Sequence, residues 1–229
     1  MAREAIEAWP GAIDEVLAVA RRFDRAMVVR ETGSTQDVAR AACAGRPGLV
    51  VVAGRQTGGR GQRGRVWVQH ADLGVAATFV VDAGESGHLS RVAGLATLDA
   101  CESVLRGRGD EEKDRRRWAM GLKSPNDVVV DEGGTRRKLA GVLIEQSDGL
   151  ALVGIGVNVN QAITDFAGTL SRTAVSLRAL GADVARIDVV LGLLASLDRW
   201  LGEGAAEVQR AWEAALRPEP EGERAGGRG

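Results

Sequence analysis

Leu49-Val50-Val51-Val52-Ala53-Gly54-Arg55-Gln56-Thr57-Gly58-Gly59-Arg60-Gly61-Gln62-Arg63-Gly64-Arg65-Val66-Trp67 carries the chain from a strand into a loop. The run from Leu49 to Gly54 is apolar and reads as a buried strand. A second strand-like run, Gly74 to Val81, follows soon after. Between them, Gly58, Gly59, Gly61 and Gly64 let the backbone take up positive φ and approach a ligand closely. Arg60, Arg63 and Arg65 supply planar guanidinium forks that match phosphate oxygens and keep their charge at neutral pH. Trp67 closes the loop with a flat face. A loop so rich in glycine is costly to order, so it is expected to become fixed when an anion arrives. Arginine–glycine runs also occur in RNA-binding tails and in ordinary surface loops. This one, however, lies between two strands and outside any low-complexity tail.

Outward from this stretch, elements follow in both directions. Ile6, Trp9, Ile13, Val16 and Leu17 recur at helical spacing and predict a helix over residues 1–24. A short strand, Met27 to Glu31, leads to Ser34, which with Asp37 resembles a capping box opening a helix to about Ala44. A long amphipathic pattern predicts a helix over 86–108, followed by a charged connection from Gly107 to Arg116. Strands are expected at 117–123, 126–131, 138–146 and 150–157, with Gly133-Gly134 as a tight turn. Residues 187–216 read as helical and 218–229 as a solvated tail. Strands grouped in the middle, with helices before, between and after, predict an α+β fold on one mixed central sheet.

With 229 residues, 45% hydrophobic and 27% charged, the chain has the composition of a soluble globular protein and room for one full domain. A net charge of −1 gives no global basic field to draw in nucleic acid. Cys43 and Cys101 form no disulfide framework, and His70 and His88 lack the partners a metal site needs. No apolar run is long enough to span a membrane and no signal-peptide core is visible, so the cytoplasm is the expected location. Of 30 basic residues only Lys113, Lys123 and Lys138 are lysines, leaving 30 − 3 = 27 arginines. Where lysine persists, a compact ammonium on a flexible stem is one reason to keep it. Lys113 sits in a charged run and carries no such signal.

Lys123 and Lys138 begin two further motifs. In Lys123-Ser124-Pro125-Asn126-Asp127, Pro125 makes a rigid corner that can project its neighbours from a sheet end, although such corners are ordinary turns as well. Lys138-Leu139-Ala140-Gly141-Val142-Leu143-Ile144-Glu145 is a strand interrupted by glycine, a sign of close approach by a ligand. Gly154-Ile155-Gly156-Val157-Asn158-Val159-Asn160 repeats that theme and ends in amides.

Together these motifs resemble the biotin protein ligase (biotin–[acetyl-CoA-carboxylase] ligase) family, part of the biotin/lipoate ligase superfamily. The family pattern G-R-G-R-x-G-R-x-W matches Gly59 to Trp67 at all fixed positions but one, and K-W-P-N-D matches Lys123 to Asp127 with one change. K-L-A-G-I-L-V-E matches Lys138 to Glu145, G-I-G-I-N-V-N matches Gly154 to Asn160, and a looser element matches Ser34, Thr35 and Gln36. The resemblance implies a class II aminoacyl-tRNA-synthetase-like catalytic domain over residues 1–217. It further implies two-step chemistry: biotin and ATP, with Mg²⁺, give biotinyl-5′-AMP, and biotin then passes to a lysine of a biotin carboxyl carrier domain. Neither step needs an enzyme nucleophile, in keeping with the lack of a Ser/His or Cys/His constellation.

The same resemblance assigns residues. Lys138 and Arg60 are the expected catalytic cations. Ser34, Thr35, Gln36, Gln56, Arg60, Gly61, Gln62, Lys138 and Gly141 are expected at biotin. Arg63, Arg65, Trp67, Lys123, Asn126, Asp127 and Asn158 are expected at the nucleotide, with Asp127 also the candidate for Mg²⁺. Two departures stand out. Gln62 replaces an arginine of the loop, exchanging a charged donor for a neutral one, which predicts a looser hold on the adenylate. Ser124 replaces a tryptophan, so that either a neighbour such as Trp118 fills the gap or the site is more open there. Neither an N-terminal helix-turn-helix nor a C-terminal SH3-like domain is expected, which leaves no DNA-binding role, while the family's mixture of monomers and dimers leaves a homodimer open. The rival readings are a lipoate or octanoate ligase of the same superfamily, and a non-catalytic biotin or nucleotide binder.

Overall fold

Alternation along the central strands sorts their side chains onto two faces of one sheet. The computed structural model describes residues 5–68, 72–106 and 118–218. Residues 1–4 of the expected first helix, 107–108 of the expected long helix, the connection Gly107 to Arg116, residue 117 and the tail beyond Pro218 lie outside the described residues.

The strands are β1 (Arg25–Thr32), β2 (Leu49–Gln56), β3 (Gly59–Arg60), β4 (Val66–Trp67), β5 (Gly74–Asp82), β6 (Trp118–Lys123), β7 (Asp127–Glu132), β8 (Thr135–Ser147) and β9 (Leu150–Asn158). Seven of them form the sheet in the order β1-β2-β5-β9-β8-β7-β6, while β3 and β4 make a separate hairpin. Among the described strands only β1 and β2 run parallel; every other pair is antiparallel. Gly133 and Gly134, with φ of 56° and 79°, make the tight turn between β7 and β8.

The helices are α1 (Trp9–Leu17), α2 (Thr35–Ala42), α3 (Ser86–Arg106), α4 (Leu170–Thr173), α5 (Arg186–Trp200) and α6 (Ala205–Ala215). One sheet face, with Val52, Ala77, Phe79, Val130, Val142, Val153 and Ile155, packs on Trp9, Ile13, Leu95, Leu193, Leu197 and Trp212 of four helices. Each large side chain buried there contributes about 1.5–3 kcal/mol. On the opposite face α2 covers only part of the sheet, placing Ala39 and Cys43 over Leu49, Val51, Val80, Leu150 and Leu152. The rest of that face is open to the site. Cys101 is fully buried, which pushes its thiol up to about 12 and leaves it inert.

Two expectations need correction, and a third is refined. The first helix stops at Leu17, because the chain turns so that the Arg21 and Arg22 backbone N–H groups donate to the Asp198 carboxylate at 3.0 and 2.7 Å. The stretch 187–216, expected to be helical, forms two helices, α5 and α6, separated by Gly202-Glu203-Gly204. Ser34 does cap α2, its hydroxyl accepting from Gln36 N–H at 3.3 Å, but Asp37 does not complete a capping box; Arg60 takes its carboxylate.

Candidate active site

Lys138 reaches the site through an irregularity in the ladder. Val128 pairs with Ala140, but the next residue of β7, Val129, pairs with Lys138, leaving Leu139 as an extra residue in β8. Leu139 and Ala140 are both fully buried. Without the bulge, Lys138 would share the face of Ala140 and point into the core; with it, Lys138 emerges beside Gly141 on the open face. Its Nζ lies 2.6 Å from Asp127 Oδ1 and 5.5 Å from the centre of the Trp67 ring.

Glycines form the floor beneath these groups. A Cβ on Gly156 would sit 2.4 Å from the Trp67 ring, and one on Gly141 would sit 2.7 Å from Lys138 Nζ. Either would drive the covering side chain off the sheet. Gly154 serves Gln36 in the same way, since a Cβ there would lie 3.1 Å from the Gln36 amide. That amide donates to the carbonyls of Leu143 and Leu152 at 3.2 and 3.3 Å, which fixes the start of α2 on the sheet.

The glycine–arginine loop is a short hairpin. β3 and β4 pair Gly59 with Trp67 and Arg60 with Val66, and the tip turns at Arg63 and Gly64 with φ of 57° and 73°. Arg60 ties the hairpin to the body: its guanidinium donates twice to Asp37 at 2.9 Å and through Nε to Glu145 at 3.1 Å. Arg40 donates to the other Glu145 oxygen at 2.7 Å, so two arginines and two carboxylates form one network. The Arg60 hydrogen bonds hold the Asp37 carboxyl below the usual carboxylate range, and Asp37 in turn raises the guanidinium further.

At the loop's root, Gln56 Oε1 accepts from Thr35 N–H at 2.9 Å and from Thr35 Oγ1 at 3.2 Å, while Thr78 Oγ1 donates to Thr35 Oγ1 at 2.8 Å. The side chain of Asn126 donates to the carbonyl of Val142 and clasps the corner before β7 to β8. Asn158 Nδ2 donates to Val175 O at 3.1 Å, bracing the segment after α4.

These groups surround a cavity of about 570 Å³. Ser34, Thr35, Gln36, Gln56, Arg60, Gly61, Gln62, Arg65, Trp67, Lys123, Asn126, Asp127, Lys138, Gly141 and Asn158 all line it; Arg63, at the hairpin tip, does not. The lining also holds groups that the sequence reading did not assign, among them Gly154, Gly156, Arg136, Phe166, Leu170 and Ala174. The paired glycines were a signal for the first two. Phe166 to Ala174 carries no periodicity, so nothing in the sequence pointed to it. Trp118 does not fill the space at Ser124, since it lies at the far end of β6 opposite Glu132; a second depression opens there instead. Among the described residues no three His, Cys, Asp or Glu side chains cluster to hold a metal. A magnesium ion at Asp127 would therefore draw most of its ligands from nucleotide phosphates and water.

The chain matches known proteins over the same motifs. The profile of the Biotin/lipoate A/B protein ligase family matches residues 34–161. A biotin–[acetyl-CoA-carboxylase] ligase of Mycobacterium tuberculosis is 36% identical over 157 residues, covering 65% of this chain and 54% of that protein. The chain thus spans about half the length of that relative. The Aquifex aeolicus biotin protein ligase, solved with biotin and ATP, superposes with a TM-score of 0.70 at 28% identity, over 85% of this chain and 79% of that one. The Leishmania major enzyme, solved with biotinyl-5-AMP, gives 0.70 at 25% identity over 84% and 81%. The mixed sheet and its helices are therefore the class II synthetase-like architecture expected from the motifs. With the glycine floor, the arginine hairpin and both lysine motifs inside the matched region, this chain belongs to the biotin/lipoate A/B protein ligase family.

Proposed function

We propose that this chain is an ATP-dependent biotin protein ligase whose catalytic unit spans residues 1–217. The observation that carries the reading is the Leu139 bulge, which turns Lys138 out of the core and onto a glycine floor beside Asp127 and Trp67. A cation held over such a floor suits two anionic oxygens brought close together, and this is the problem an acyl-adenylate poses.

In the first step a biotin carboxylate oxygen attacks the α-phosphorus of ATP, carried as its magnesium complex. The bond from that phosphorus to the bridging oxygen breaks, and pyrophosphate leaves with the electron pair. Lys138 offsets charge on the carboxyl and α-phosphoryl oxygens. Ser34, Thr35, Gln36 and Gln56 supply the polar contacts to biotin, Gln62 adds a neutral amide donor, and Gly61 and Gly141 let the ligand lie close to backbone. Arg65, Trp67, Lys123, Asn126 and Asp127 serve the nucleotide, while Asn158 braces the wall behind it. Arg60 lines the cavity from within its carboxylate network, so part of its role is to hold the hairpin in place.

In the second step a lysine amine of a carrier domain attacks the acyl carbon. The amine loses its proton, the carbon–oxygen bond to AMP breaks, and an amide remains. The relatives' names as biotin ligases, and the solved complexes of two of them, support this order. Among the described residues no helix is long and apolar enough to cross a membrane.

Incubation with labelled biotin, Mg-ATP and a biotin carboxyl carrier domain tests the proposal. Label on the carrier lysine is the expected result. Label from lipoate but not biotin would move the chain to the other branch of its family, and binding without transfer would leave it a sensor.

A further inference from the structure

The ladder between β2 and β5 ends early. Its last pair is Ala53 with Ala76, although β2 runs on to Gln56 beside β1 and β5 begins at Gly74 beside β9. The two strands therefore part beside Gln56 and Asn158, both of which line the cavity. The loop that carries the arginine hairpin springs from this fork. Arg186, the first residue of α5, fills it. Its Nη1 donates to Gly54 O at 3.3 Å on one strand and to Gly74 O at 3.4 Å on the other. Its Nη2 donates to Asp72 Oδ1 at 3.2 Å. One side-chain nitrogen thus makes a rung where the ladder has stopped.

General electrostatics does not favour a cation at this position. Arg186 is 3% exposed, and a buried charge is costly unless it is paired and hydrogen-bonded. The N-terminus of a helix carries partial positive charge, which opposes a guanidinium in its first turn. The guanidinium carbon lies 4.8 Å from the centre of the Trp9 ring, whose face offsets part of that cost, and Asp72 offsets more. A leucine would fill the same space without desolvating a charge. It could not aim donors at two strands at once, as the fixed N–H directions of a guanidinium do.

We propose that Arg186 is a positioning residue for the site: it sets the separation of β2 and β5 at their fork and so fixes what lies on either side. Gln56, which accepts from Thr35, lies two positions beyond Gly54, and the hairpin begins at Gly59. On the other side Gly74 pairs with Asn158, and Asn160 N–H donates to Leu73 O at 2.6 Å. A shift at the fork therefore moves Gln56 and the hairpin relative to Asn158, across the cavity they share. Which ligand feels that shift rests on the ligase reading; the fork itself does not.

Hydrogen exchange of the full chain, read segment by segment without ligand, tests the clamp, and calorimetric titration with biotin follows its effect on the site. Arg186→Met keeps an apolar filler of similar length but no donor. Amides of residues 55–67 should then exchange about tenfold faster or more, while those of α3 and β7 change by no more than about twofold. Biotin should bind about tenfold more weakly. Arg186→Lys returns the charge on a single nitrogen and should recover part of both effects, which a purely space-filling role does not predict. Asp72→Asn alters a partly exposed carboxylate and decides the matter if the Met variant does not fold: exchange over 55–67 should quicken about threefold. Exchange over 55–67 that is unchanged in the folded variants, or that quickens equally in α3 and β7, overturns the clamp. Local quickening in the variants of a chain that binds no biotin would instead uphold the clamp and sink the ligase reading.

Discussion

Lys138 Nζ stands 2.6 Å from Asp127 Oδ1, and the pair exists because Leu139 is bulged out of the ladder between β7 and β8. Any anion that recruits Lys138 must share it with Asp127. That competition favours a ligand presenting two anionic groups over one presenting a single carboxylate, whose one charge only matches that of Asp127. On the proposed reading, the biotin carboxylate and the α-phosphate together supply that charge.

Gly156→Ala tests the glycine floor. The added methyl would sit 2.4 Å from the Trp67 ring, and neither the ring nor the strand can absorb that overlap cheaply. Trp67 should be displaced, taking with it one wall of the nucleotide site and the cation–π contact to Lys138. A rise of at least about tenfold in the KM for ATP is expected, with a melting temperature within a few degrees of the parent. Normal ATP dependence would show that Trp67 does not wall the nucleotide site.

The hairpin latch should respond to acid. Arg60 holds the Asp37 carboxyl below its ordinary range, so its pKa in the folded state is lower than in the unfolded chain. The stabilisation is then fully present above the unfolded value, about pH 4, and is lost as pH falls through the folded value. Asp131, held low by Arg136 and then Arg217, contributes with the same sign. Asp37→Asn should raise hydrogen exchange across residues 57–67 at pH 7 and flatten the acid dependence of that exchange. Exchange in the parent that is already as fast at pH 7 as in the variant would mean that the latch does not hold the hairpin.

Gln62 lines the cavity where the resembled pattern has arginine. A neutral amide gives roughly half the strength of a charged donor to phosphate. Gln62→Arg should slow the escape of biotinyl-AMP by about tenfold, read as the off-rate of the labelled intermediate. Equal off-rates would remove the argument.

The central strands and the site face were legible in the sequence for one reason: alternation and glycine placement are local signals. The Lys123 and Lys138 motifs stood out against 27 arginines for a similar reason. What escaped depends on distant partners. Lys-Leu-Ala-Gly reads as plain alternation, and only the Val129–Lys138 pairing reveals the bulge that turns Lys138 outward. Asp37 looked like a capping carboxylate because its partner, Arg60, is 23 residues away. The last helical stretch divides at Gly202-Glu203-Gly204, and Trp200 N–H reaches Asp99 across 101 residues.

The most direct measurement is the rate of biotinyl-AMP formation by Lys138→Ala, from labelled biotin and Mg-ATP in the absence of acceptor. Loss of the ammonium should lower that rate by about 10²–10³, the effect of removing one preorganised charge from a transition state, while the chain stays folded because Lys138 is half-exposed and outside the core. A variant that forms biotinyl-AMP at the parent rate would contradict the account at its centre.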